Sequence, residues 1–131
     1  MPSKKALIVV DMSKEQVASV DYRVSKTIQN IHKLVTSNVF DRCFDSRLWI
    51  DNSSQTSLRK LYSDVGSSNT PGAELIESLR EANLEHVIKL NYSCFFGTQL
   101  LERLQDHDIK DVYVCGINRL LCICNSSRCV L

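Results

Sequence analysis

Residues 6–10, Ala-Leu-Ile-Val-Val, run apolar without a break and stop at Asp11. A strand with one wet face alternates apolar and polar residues. A strand that is apolar on both faces must be covered on both, which marks a parallel sheet with helices above and below. The same form recurs at His86-Val87-Ile88, stopped by Lys89, and at Val112-Tyr113-Val114-Cys115, ended by Gly116. A further strand is expected over residues 39–44, closed by Asp45. Parallel neighbours need crossovers of a dozen or more residues, usually helical, and the intervening segments provide them. After a polar loop over 12–20, Val24, Ile28, Ile31 and Val35 fall at helical spacing behind Asp21 as N-cap. Pro71 opens a helix over 71–82 whose buried face is Leu75, Ile76 and Leu79. Thr98 caps another that carries Leu100, Leu101 and Leu104 inward. With right-handed crossovers these elements make an α/β protein, a three-layer α/β/α sandwich around a central parallel sheet of Rossmann-like topology. A chain of 131 residues makes this one domain, 1–131. Residues 46–70 are polar with few periodic apolar positions, the profile of a functional or mobile loop.

In an open parallel sheet, ligands bind beyond the carboxyl ends of the strands. Asp11, Lys89 and the turn after Gly116 therefore converge on one crevice. That turn leads to a second apolar run carrying Cys122. If a helix starts there, its unpaired N–H groups and dipole favour a thiolate at Cys122. A carboxylate, an ammonium and a thiol at one edge make a candidate nucleophilic site. The competing view is that Cys115, Cys122 and Cys124 are small core hydrophobes, as most unpaired cysteines are.

A net charge of +1 with no basic cluster argues against nucleic acid or an acidic membrane as partner, and no apolar run approaches membrane-spanning length. The six cysteines follow no separate leader, since residues 1–5 run straight into the first strand. Reduced thiols in a cytoplasmic protein are the expectation. Cys122, Cys124 and Cys129 lack the spacing of a zinc site and have no histidine close by. Neither metal nor cofactor is expected. His32 lies beside an apolar stripe and His107 in a polar turn, both at the surface.

Taken together, these stretches resemble the isochorismatase-like cysteine hydrolases, which include nicotinamidases. The resemblance rests on Asp11 within Ile-Val-Val-Asp-Met, on Lys89 followed by Tyr92-Ser93-Cys94-Phe95 and Thr98-Gln99-Leu100, on Pro-Gly-x-Glu-Leu from Pro71, and on Gly116 six residues before Cys122. It implies a catalytic triad of Asp11, Lys89 and Cys122 acting on a small-molecule amide or related substrate. Cys122 attacks the carbonyl carbon, Asp11 takes the thiol proton and passes it on, and Lys89 lowers the thiol pKa. It also implies an oxyanion-binding turn with a non-proline cis peptide, placed at Ile117-Asn118. Three departures stand against this. The turn continues Arg119-Leu120-Leu121 instead of Thr-Asp, and Asp45-Ser46-Arg47 lacks the histidine of the nicotinamidase metal element. Members of the family also continue past the cysteine with a further strand and helices. The expectation is a C-terminally incomplete domain with apolar sheet surface to cover, and hence self-association. The alternative function is a non-catalytic form that keeps part of the fold and its partner surface.

Overall fold

The computed structural model describes residues 3–18, 24–48, 71–89 and 99–117, with Leu48 and Lys89 described by their backbone. Four strands form one sheet: β1 (Lys4–Val10), β2 (Arg42–Leu48), β3 (Glu85–Lys89) and β4 (Ile109–Gly116). They lie in the order β3-β2-β1-β4, and every adjacent pair is parallel. The central parallel sheet inferred from the apolar runs is therefore present.

β1 runs through the middle with a neighbour on each side, and Ala6 to Val10 are 0–1% exposed. Side chains alternate across the sheet, so the run feeds two cores. On one face Ala6, Ile8 and Val10 join Phe44, Val87 and Val114 beneath Leu100 and Leu104 of helix α4 (Leu100–Asp106). On the other, Leu7 and Val9 join Cys43, Ile31 of α2 (Val24–Thr36) and Leu79 of the short α3 (Glu77–Arg80). Ile28 and Val35 pack from α2 beside Ile31, three members of the expected stripe. Helices α2 and α3 lie on the crossovers that build outward from β1 to β2 and β3. Helix α4 lies on the return to β4, past β1, and right-handed crossovers therefore put it on the opposite face.

Four expectations need correcting. β2 runs from Arg42 to Leu48 instead of 39–44, so Asp45 and Ser46 sit inside the sheet at 0% exposure. Polar residues there looked like a strand end because their partners come from distant residues. The supposed loop after Asp11 begins with buried Met12 and Ser13 and contains α1 (Lys14–Ala18). Ser13 caps it by accepting from the Gln16 N–H at 3.4 Å. The helix expected over 71–82 is split into a 3₁₀ turn, Pro71–Ala73, and α3, although Leu75, Ile76 and Leu79 are buried as expected. Leu101 is 54% exposed, while Leu100 and Leu104 are buried. The proposed caps Asp21 and Thr98 lie outside the described residues.

Candidate active site

The strand order reverses between β1 and β4, because the chain builds outward through β2 and β3 and then returns to the other side of β1. At such a switch point the neighbouring connections leave in opposite directions and a crevice opens beyond the carboxyl ends. Val10 pairs with Gly116 there, so Asp11 and Ile117 are the first residues past the two strands. Gly116 has φ +135°, and a Cβ on it would overlap the Val10 carbonyl oxygen. Only glycine permits that approach.

Asp11 is 3% exposed and takes a left-handed backbone, φ 56°. This conformation costs an L-residue about 1–2 kcal/mol, less for Asp than for most. The structure around it supplies the compensation. Its N–H donates to the Ser46 carbonyl at 3.0 Å. The next residues are clasped by the segment 71–76: Ile76 N–H donates to Met12 O at 3.1 Å, Lys14 N–H donates to Glu74 O at 2.8 Å, and Ser13 bridges Leu75 antiparallel. The break in the expected helix has a cause here, since Glu74 to Ile76 must be extended to make these bonds.

Of the expected site residues, Asp11 stands at the end of β1 and Lys89 closes β3 at the same edge, with β2 between them. Two strand spacings separate those backbones, roughly 10 Å. Ile117 is 7% exposed and packs into the core on the α2 side. Asn118 and Cys122 lie outside the described residues, as does the Ile117-Asn118 peptide bond.

A second polar cluster was not anticipated. Asp45 Oδ2 accepts from Arg47 Nη1 and lies 2.8 Å from His86 Nδ1, across the β2–β3 pairing. Arg47 Nε also donates to Ala73 O at 2.9 Å. The available signal was alternation. Asp45 and Arg47, two apart on a strand, share a face, and His86 stands opposite Asp45. A guanidinium cannot ligate a metal and its charge repels one, so this carboxylate does not fit the nicotinamidase-type metal element. Among the described residues no cluster of three or more His, Cys, Asp or Glu is placed to hold a metal ion. Burial pushes the Cys43 thiol above its ordinary value, and neither Cys43 nor Cys115 is in a disulfide.

An all-parallel sheet with a buried carboxylate at its switch point defines the class: an α/β protein with its site on the carboxyl edge. More specifically, the Isochorismatase domain model matches residues 5–129, and the chain belongs to that hydrolase family. Over 56 residues it is 41% identical to an uncharacterized isochorismatase family protein, YddQ, of Bacillus subtilis (strain 168). That match takes in 42% of this chain and 31% of the relative. N-carbamoylsarcosine amidase from Thermoplasma acidophilum superposes with a TM-score of 0.82 at 22% identity, over 94% of this chain and 73% of that one. A cysteine hydrolase from Pseudomonas syringae pv. phaseolicola 1448A gives 0.81 at 28%, over 95% and 64%. The chain thus matches less than a third of its curated relative's length and about two thirds to three quarters of these solved ones.

Proposed function

We propose that this chain is a cysteine hydrolase of small amides, with Cys122 as nucleophile, Asp11 as proton carrier and Lys89 as the charge that favours the thiolate. The observation that carries this is Asp11 itself. A carboxylate residue is 3% exposed in a left-handed turn at the place where the order of the described strands reverses. Burying a carboxylate costs stability unless its surroundings compensate it, and ligands of an open parallel sheet bind where this one stands. Lys89 at the end of β3, the Cys122 spacing from Gly116, and the amidase and cysteine hydrolase among its structural neighbours support the same chemistry.

In this scheme the Cys122 thiol gives its proton to Asp11 as sulfur attacks the carbonyl carbon. Backbone N–H groups of the 116–122 turn receive the developing oxyanion. The C–N bond then breaks, and the amine leaves with the proton held by Asp11. Water adds to the thioester, the acid departs and the thiol is restored. No metal enters these steps, and elemental analysis should find no stoichiometric zinc or iron. The proposed chemistry belongs in the cytoplasm, with the small-molecule substrate as partner.

Limiting iodoacetamide near pH 7 tests the reading, because thiolate fraction sets the rate. Cys122 should react before Cys43, Cys94 and Cys115, and Lys89→Met should slow it. Uniform labelling would sink the scheme. It would also favour the non-catalytic alternative, which the bulky Arg119-Leu120-Leu121 ahead of Cys122 otherwise carries alone.

A further inference from the structure

We propose that Arg47 is a positioning residue for Asp11, acting through the segment 71–76; the inference rests on Asp11 belonging to the hydrolytic site. Residues 71–76 form a strap across the chain as it leaves β1. On one side they hold Met12, Ser13 and Lys14 by the two hydrogen bonds and the bridge to Leu75. On the other side something must hold the strap. Arg80 reaches it, from Nε to Leu75 O at 3.2 Å and from Nη2 to Glu74, and Lys14 Nζ lies 3.6 Å from Glu74. These ion pairs are 41% and 46% exposed, where solvent and salt leave little net attraction.

Beside the burial of Ala73, Leu75 and Ile76, Arg47 is the shielded polar fastening. Its side chain is 16% exposed and that of Asp45 is 0%, so their pairing is screened far less. The guanidinium is a rigid fork. Nη1 donates to Asp45 while Nε donates to Ala73 O, which ties the strap to β2 along two directions at once. A lysine could match the charge but not both directions. The residue between Asp45 and Arg47 completes the arrangement, since Ser46 O takes the Asp11 N–H. Three consecutive residues of β2 thus grip the Asp11 turn, directly through Ser46 and indirectly through the strap. Without Arg47 the strap loosens, and Asp11 can relax from its left-handed conformation away from Cys122.

The test is a double-mutant comparison on the full chain, with iodoacetamide as probe and the Cys122 alkylation rate as readout. Asp11→Asn and Arg47→Met should each slow Cys122 by roughly 10- to 100-fold, the scale set by ångström misplacement of a reacting group. The double variant should be no slower than Asp11→Asn alone. Arg47→Lys should recover part of the loss, and hydrogen exchange at the Lys14 and Ile76 amides should quicken in Arg47→Met. A merely structural arginine would slow the Asp11→Asn background as much as the wild type, and that product of effects overturns the proposal. So does rapid, Asp11-dependent labelling that Arg47→Met leaves unchanged. If Asp11→Asn itself has no effect, the site reading falls and this inference with it. Should Arg47→Met not fold, Arg47→Lys supports the same comparison.

Discussion

β1 and β4 lie side by side and pair from Lys4–Ile109 to Val10–Gly116, yet they are built differently. β1 has strands on both sides and an interior that is almost wholly buried. β4 alternates: Val114 is 8% exposed, Tyr113 47%, and Tyr113 packs edge-on against Phe40 with ring centroids 5.6 Å apart. Among the described residues β4 has one strand neighbour. Under the proposed scheme the difference separates two jobs at one edge. β1 presents Asp11 from a rigid, doubly supported base. β4 feeds the turn toward Cys122 from a strand that leans on β1 for its register.

The sharpest way to break this contrast is to cut equally on both sides. Ile8→Ala removes a side chain at 0% exposure and should cost about 3–4 kcal/mol in urea unfolding, as buried aliphatic truncations do. Gly116→Ala should come next, at about 2–3 kcal/mol in a thermal melt, through its φ and the collision with Val10 O. Tyr113→Ala should cost only about 1 kcal/mol, the aromatic pair plus partial burial. If it matched Ile8→Ala, β4 would be as deeply supported as β1 and the division of labour would fail.

The smallest effect is pH-dependent. Cys43 on β2 is buried with its thiol pKa raised by desolvation. A raised folded-state value means that the unfolded chain ionises first. The native state therefore keeps its full advantage below the ordinary thiol pKa, and loses it as pH climbs from there through the folded value. Cys43→Ala should flatten the alkaline limb of the stability curve relative to wild type. A limb unchanged by the substitution would show that other groups account for it.

The sequence read well where burial alone decides the pattern. Residues 6–10, Ile28 with Ile31 and Val35, and Leu79 lie where hydrophobic periodicity put them. It read poorly where polar residues are buried against partners far along the chain. Asp45, Ser46 and Arg47 looked like a strand end because nothing local reveals that His86 and Ala73 complete them. The helix expected over 71–82 failed for a related reason. Its stretch between Ala73 and Glu77 has helical spacing, but hydrogen bonds to Met12 and Lys14 outweigh local propensity. Leu101 was assigned inward by composition, whereas one step along a helix turns a residue by about 100°. The charged ends of the apolar runs placed Asp11 and Lys89 at the carboxyl edge of the sheet, where the strands do end. The strap and its arginine are visible only once the chain is folded.

The pairing of β1 with β4 also bears on how the chain is made. β1 leaves the ribosome about a hundred residues ahead of β4, so one of its two edges waits for that partner. At roughly 5–20 residues per second, that edge goes without its partner for some 5–20 s. Loop closure over such a span is slow, so the β1–β4 pairing belongs late in folding. During the interval the most apolar of the four described strands offers a bare row of amides and carbonyls to any other extended chain. The centrality that later supports the Asp11 turn is thus what leaves β1 longest open to unwanted pairing while the chain is being made.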